Sequence, residues 1–95
     1  MTAQVIFAVN KILDQAALVE YRKLAHPTIK AFNGRVLSGF DGYVALEGDH
    51  FIAMVVVEFS DRSVAECWFK SEEYQQASLL RKKGCECSVS LLNCA

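Results

Sequence analysis

Two segments of this chain are apolar on both sides of an extended backbone. In Val5–Val9, the side chains of Val5, Phe7 and Val9 share one face and Ile6 and Ala8 share the other. In Ala53–Phe59, residues 53, 55, 57 and 59 form one apolar face, and Met54, Val56 and Glu58 line the opposite one. Strands patterned this way need cover on both faces. Whatever fold the chain adopts must supply two covering layers, or supply one and borrow the other.

Between and after these strands the period lengthens. Ala17, Leu18, Tyr21, Leu24 and Ala25 recur at helical spacing, with Asp14 as the expected N-cap. His26-Pro27 predicts a break, because the residue before a proline avoids the α region. A second short turn is expected over Pro27–Phe32, ending at Gly34 as a left-handed cap. Arg35–Phe40 reads as a strand, and Asp41-Gly42 predicts a tight hairpin returning through Tyr43–Leu46 as a short edge strand. After Phe59, a helix capped by Ser60 or by a Ser63/Glu66 capping box is expected. A further helix starts at Ser71-Glu72-Glu73 and closes at Gly84, and Cys87, Val89 and Leu91 alternate in a last strand.

This β-α-β-β-α-β order predicts an α+β, ferredoxin-like domain spanning residues 1–95. It would have a four-stranded antiparallel sheet with its helices on one face. The helices cover one apolar sheet face and leave the second bare. A homodimer packed sheet against sheet covers it, which makes a second copy of the chain the expected partner.

The ordered set Tyr21-Arg22, His26-Pro27, Phe32-Asn33-Gly34-Arg35, Leu46-Glu47-Gly48-Asp49, Glu58-Phe59, Trp68-Phe69-Lys70-Ser71-Glu72-Glu73-Tyr74 and Arg81 resembles the domain of unknown function 1330 family over nearly the whole chain. The resemblance implies the ferredoxin-like dimeric α/β-barrel superfamily. That group includes cofactor-free monooxygenases, haem enzymes and muconolactone isomerase-like proteins. It implies no particular reaction. Ser38-Gly39-Phe40 stands where the family often carries Arg-Gly-Gly.

Charge and composition remove several function classes. Ten Lys plus Arg against eleven Asp plus Glu leave a net charge of -1, without the basic surplus of a phosphate-binding nucleic-acid module. No apolar run approaches the roughly 18 residues of a membrane span. Met1–Asn10 has no basic start, and Asn10 and Lys11 interrupt its apolar run, so a cytoplasmic rather than a secreted protein is expected. Cys67, Cys85, Cys87 and Cys94 are then expected as reduced thiols. Cys85-x-Cys87 lacks the spacing of a zinc knuckle or redox pair, so neither a metal nor a cofactor is expected.

The chemical candidates are few. Histidine is the side chain suited to proton transfer near neutral pH, and His26 sits at the expected helix break, where it is a candidate general base or an exposed cap. Glu58 is a carboxylate in an apolar strand, a candidate acid or base if buried and a surface ion-pair partner if not. Arg35 and Arg81 are candidate ligands for carboxylate or phosphate, with surface pairing as the simpler role. Trp68 and Tyr74 are candidate pocket walls or plain core, and His50 reads as a loop residue. A pocket is expected where the His26-Pro27 break, Glu58 and the Trp68–Tyr74 junction converge. Two functions fit: a metal-free small-molecule enzyme with its pocket between sheet and helices, or a non-catalytic homodimeric module that binds a ligand or supports assembly.

Overall fold

A computed structural model describes residues 1–94 of the chain. The elements in order are β1 (Ala3–Ile12), α1 (Gln15–Ala31), β2 (Arg35–Ser38), β3 (Ala53–Phe59), α2 (Arg62–Lys70), α3 (Glu72–Gly84) and β4 (Cys85–Asn93). The strands form one antiparallel sheet in the order β2-β3-β1-β4. This is the ferredoxin-like α+β plan expected from the sequence, with its second helical region divided into α2 and α3.

The register fixes what each face carries. Val5 lies between Val57 and Leu91, and Phe7 between Val55 and Val89. This odd-numbered face packs against Ala25 and Ile29 of α1, Ala65 and Trp68 of α2, and Tyr74 and Ala77 of α3 to form the main core. Ile6 lies between Val56 and Ser90, and Ala8 between Met54 and Ser88. These even-numbered residues point away from the helices; Ile6, Ala8, Met54 and Val56 are only half-buried. The second apolar face therefore exists and no helix covers it.

Helix ends follow the local chemistry in two places out of three. The Asp14 carboxylate accepts from the Ala17 amide at 3.1 Å, and the Ser71 hydroxyl accepts from the Tyr74 amide at 3.2 Å. For α2, Asp61 is the cap, accepting from the Val64 amide at 2.9 Å. The expected Ser60 or Ser63 caps do not form, and Glu66 instead pairs with Arg62 at 2.9 Å. A carboxylate one residue before the helix outcompetes a hydroxyl, because it is a charge-assisted acceptor at the positive end of the helix.

The expected break at His26 does not occur. Pro27 lies inside a continuous α1. An internal proline removes one helical hydrogen bond and costs about 3 kcal/mol or more. The burial of Ala25, Thr28 and Ile29 on either side of it holds the helix together. The left-handed residue at the end of α1 is Asn33, with φ 56°, and not Gly34. Gly34 is required for a different reason: a Cβ there would stand 2.5 Å from Cε1 of the buried Phe59 ring.

The expected hairpin is also absent. Residues 39–52 form a long irregular connection, and Tyr43–Leu46 makes no strand. The Gly42 amide closes a turn onto the Gly39 carbonyl. The chain is then held by the Phe51 amide donating to the Tyr43 hydroxyl at 3.3 Å, and by the Ile52 amide donating to the Val9 carbonyl at 2.8 Å. Elsewhere, one carbonyl joins two distant parts of the chain: Gly84 O accepts from the amides of Leu13 at 2.8 Å and Asp14 at 3.0 Å. No helix among the described residues is long and apolar enough to cross a membrane.

Gly34→Ala should lower stability to urea by about 1–3 kcal/mol, the usual cost of overpacking a filled core. Gly39→Ala, whose Cβ would meet nothing within 4 Å, should stay within about 0.5 kcal/mol of the parent.

Candidate functional site

A cavity of about 280 Å³ lies between the helix-covered sheet face and α1, closed on one side by the segment after β2. Phe7, Val9, Val55 and Val57 form its floor, Leu18, Tyr21, Ala25 and Ile29 its roof, and Trp68 one wall. Its remaining lining includes Arg81, Cys85 and Cys87 from the α3–β4 region. The exposed Arg22, His26 and Asp41 stand at the rim, and the Arg22 guanidinium lies 5.4 Å from the centre of the Phe40 ring.

Trp68 is fully buried, with ring centres 4.2 Å from Tyr74, 5.0 Å from Phe59 and 6.4 Å from Phe7. Its indole Nε1 donates to Thr28 Oγ1 at 3.0 Å, and that hydroxyl donates to the Ala25 carbonyl at 2.6 Å. The indole is thus satisfied from α1 and presents a purely apolar wall. Tyr74 is fully buried behind Trp68 and does not line the cavity; its hydroxyl is 2.9 Å from that of Tyr21, which does. Burial pushes the Tyr21 phenol well above the ordinary tyrosine range, and Tyr74 pushes it further. Burial also raises Tyr74, against the opposing pull of its bond to Tyr21 and of Arg81. Both phenols are therefore protonated hydrogen-bonding groups at neutral pH.

Arg81 is the one charged residue buried among the described residues, 7% exposed. It is not the surface ion-pair partner expected from the sequence. None of the ion pairs among the described residues includes it. Its Nη1 donates to Cys87 Sγ at 3.0 Å, its Nε has no protein partner, and its guanidinium lies 5.6 Å from the centre of the Phe7 ring. Burial alone lowers the Arg81 pKa, but neighbouring Tyr74 and Cys87 outweigh it and hold the group charged. A cation–π contact returns about 0.5–2 kcal/mol. Burying an ion costs several kcal/mol. Among the described residues no carboxylate pairs with this positive charge.

Glu58 and Arg35 lie elsewhere. Both stand on the even-numbered sheet face, where Arg35 Nε and Nη2 each reach Glu58 Oε1 at 3.1 Å. The sheet separates them from the cavity, so the expected convergence of His26, Glu58 and Tyr74 does not form. Strand parity decides this: residue 58 shares a face with 54 and 56, not with 57 and 59. His26 lines the cavity only at its rim, on an unbroken helix. His50 is exposed in the long connection. Tyr21 and Cys87 were not singled out from the sequence as site residues, and both line the cavity.

Thr28→Val keeps the shape of the side chain and strands the Trp68 indole donor. It should cost about 1–3 kcal/mol in urea unfolding. Trp68 is the only tryptophan, so its fluorescence reports the change directly. Cys85 supplies a pH test. Burial, and next the adjacent Cys87, push its thiol from 9.0 up to about 11. The folded state holds this proton, and those of Tyr21 and Tyr74, to higher pH than the unfolded chain does, so stability falls as pH rises. The melting temperature should decline between pH 9 and about 11, and Cys85→Ala should flatten part of that decline.

A protein of unknown function from Rhodopseudomonas palustris superposes with a TM-score of 0.80 at 13% identity, covering 99% of this chain and 82% of that one. A dimeric protein of unknown function with a ferredoxin-like fold from Bacteroides fragilis gives a TM-score of 0.65 at 10% identity, covering 98% and 96%. SnoaB, a cofactor-independent oxygenase from Streptomyces nogalater, gives 0.53 at 11% identity, covering 99% and 91%. At these identities the likeness is one of fold. None of the curated proteins is similar in sequence to this chain. The family model described as Domain of unknown function (DUF1330) matches residues 2–94. The chain belongs to the DUF1330 family.

Proposed function

We propose that this protein binds a small, mainly apolar molecule in the cavity between its sheet and α1, and that it does so as a homodimer. The observation that carries the reading is the cavity itself. At about 280 Å³ it lies just below the roughly 300–1,000 Å³ of drug-sized ligand pockets, room for a small molecule. It is walled by rigid strands, α1 and a fully satisfied Trp68, with a few polar groups among apolar ones. Core packing normally leaves no such space.

Binding is favoured over acid–base catalysis by the character of those polar groups. Tyr21, backed by the buried Tyr74 hydroxyl, keeps its proton at neutral pH, and Arg81 keeps its charge. Such groups hold a ligand in place. The carboxylate that would have paired with His26 in an acid–base mechanism, Glu58, is behind the sheet. The dimer reading rests on the uncovered face of Ile6, Ala8, Met54 and Val56, and the dimeric Bacteroides fragilis neighbour has the same fold. Four free cysteines among the described residues fit a reducing, cytoplasmic setting.

Val55→Phe places a ring into the cavity from β3. The variant should remain folded and lose uptake of a neutral apolar probe such as 1-naphthol, measured by calorimetry; undiminished uptake would remove the cavity as the site. Sedimentation at micromolar concentration should give twice the 10.6 kDa chain mass. Val56→Asp, on the uncovered face, should shift that mass toward the monomer while Val55→Phe does not.

A further inference from the structure

Around the buried guanidinium of Arg81 stand the Cys87 sulfur, the Phe7 ring and the neighbouring Tyr74 phenol; its Nε has no protein partner, and none of the ion pairs among the described residues includes it. It also lines the cavity. We propose that the cavity takes a small free carboxylic acid in its ionised form. The carboxylate would lie on Arg81 and the hydrocarbon body against Phe7, Leu18, Ala25 and Val57. This rests on the reading of the cavity as a small-molecule site and adds the chemical class of what enters it.

Three observations select this class. The first is charge balance. One buried cation is neutralised by one negative charge, and a dianionic phosphate would leave a net charge in an apolar enclosure. The other arginine of the cavity, Arg22, is at the exposed rim over Phe40 and supplies no second buried charge. The second is geometry. A guanidinium presents its N–H groups as a planar fork that matches two carboxylate oxygens, and sulfur is a weak substitute acceptor. The third is the phenol pair. The two hydroxyls lie 2.9 Å apart, and Tyr21 lines the cavity as a protonated phenol, which does not repel an anion. The remaining walls are aliphatic or aromatic, so the rest of the acid is hydrocarbon.

The test compares hexanoate, hexanamide and hexylphosphonate on the whole protein, at a mildly alkaline pH above the second ionisation of the phosphonate, where it is a dianion. Calorimetry gives affinity, and methyl NMR of Ala25 and Val57 gives location. Hexanoate should bind at least about tenfold more tightly than hexanamide, with shifts at both methyls. The preference should persist between about 0.05 and 0.5 M salt, because a buried pair is weakly screened. Arg81→Met should erase the preference, and Arg81→Lys should retain part of it. Equal binding of acid and amide, with shifts at both methyls, overturns the carboxylate assignment and leaves the cavity as a small-molecule site. Binding of neither overturns both. Tighter binding of the phosphonate overturns the single-charge argument. A preference that vanishes at high salt, or survives in folded Arg81→Met, puts the acid on the surface and overturns the assignment. If Arg81→Met does not fold, the acid-to-amide ratio and methyl shifts of the parent protein decide.

Discussion

Every layer of this molecule is referenced to Trp68. The indole belongs to α2, stacks obliquely on Tyr74 of α3 and Phe59 of β3, and meets Phe7 of β1 edge-on. Its one polar atom is satisfied by Thr28 of α1, which is in turn anchored to its own helix backbone. An aromatic of this size supplies the largest single block of apolar burial in a small core, and its N–H must find a partner there. Placing that partner on α1 fixes the helix over the sheet at the height that leaves the cavity open beside it. The wall of the site and the keystone of the fold are the same residue.

That arrangement determines what chemistry the interior can host. With the indole donor consumed by Thr28, the polar capacity left at the cavity is concentrated in Arg81, Tyr21 and the Cys85/Cys87 thiols. Low polarity favours the neutral Tyr21 phenol and Cys85 thiol, while a guanidinium stays charged whatever its surroundings. The interior is therefore electrostatically one-sided. Among the described residues no acidic one is buried inside it: Glu58 and Glu66 are in surface ion pairs, Asp14 and Asp61 cap helices, and Asp41 is exposed at the rim.

Much of this was legible in the residues themselves. The two-sided apolar pattern of Val5–Val9 and Ala53–Phe59 predicted both the central strands and an uncovered face, because the period of two is dictated by the pleat. Asp14 and Ser71 were readable as caps for the same local reason. The failures were local rules overruled by packing. Pro27 signals a break, but its neighbours on the inner stripe are buried firmly enough to carry the helix through. Asp41-Gly42 signals a hairpin, but the four residues of β2 give the returning chain too little edge to pair with. The site was misjudged through Glu58, whose parity with Met54 and Val56 already placed it behind the sheet. The burial of Arg81 is written in the spacing of Tyr74, Ala77, Ser78 and Arg81, the helical stripe that α3 buries. What no sequence rule supplied was the empty space, which depends on how helices and sheet fail to close.

The carbonyl of Gly84 has a dynamic consequence. It is the last residue of α3, and it receives both amides that lead into α1. The glycine also brings that turn against Leu18, where a Cβ would stand 2.7 Å away. The start of the first helix and the start of the last strand are thereby a single opening unit, although they lie at opposite ends of the sequence. The Leu13 and Asp14 amides are released only when their shared acceptor at the α3–β4 junction moves away. Hydrogen exchange at Leu13 and Asp14 therefore follows the motions of the carboxy-terminal half of the chain rather than those of their own neighbours.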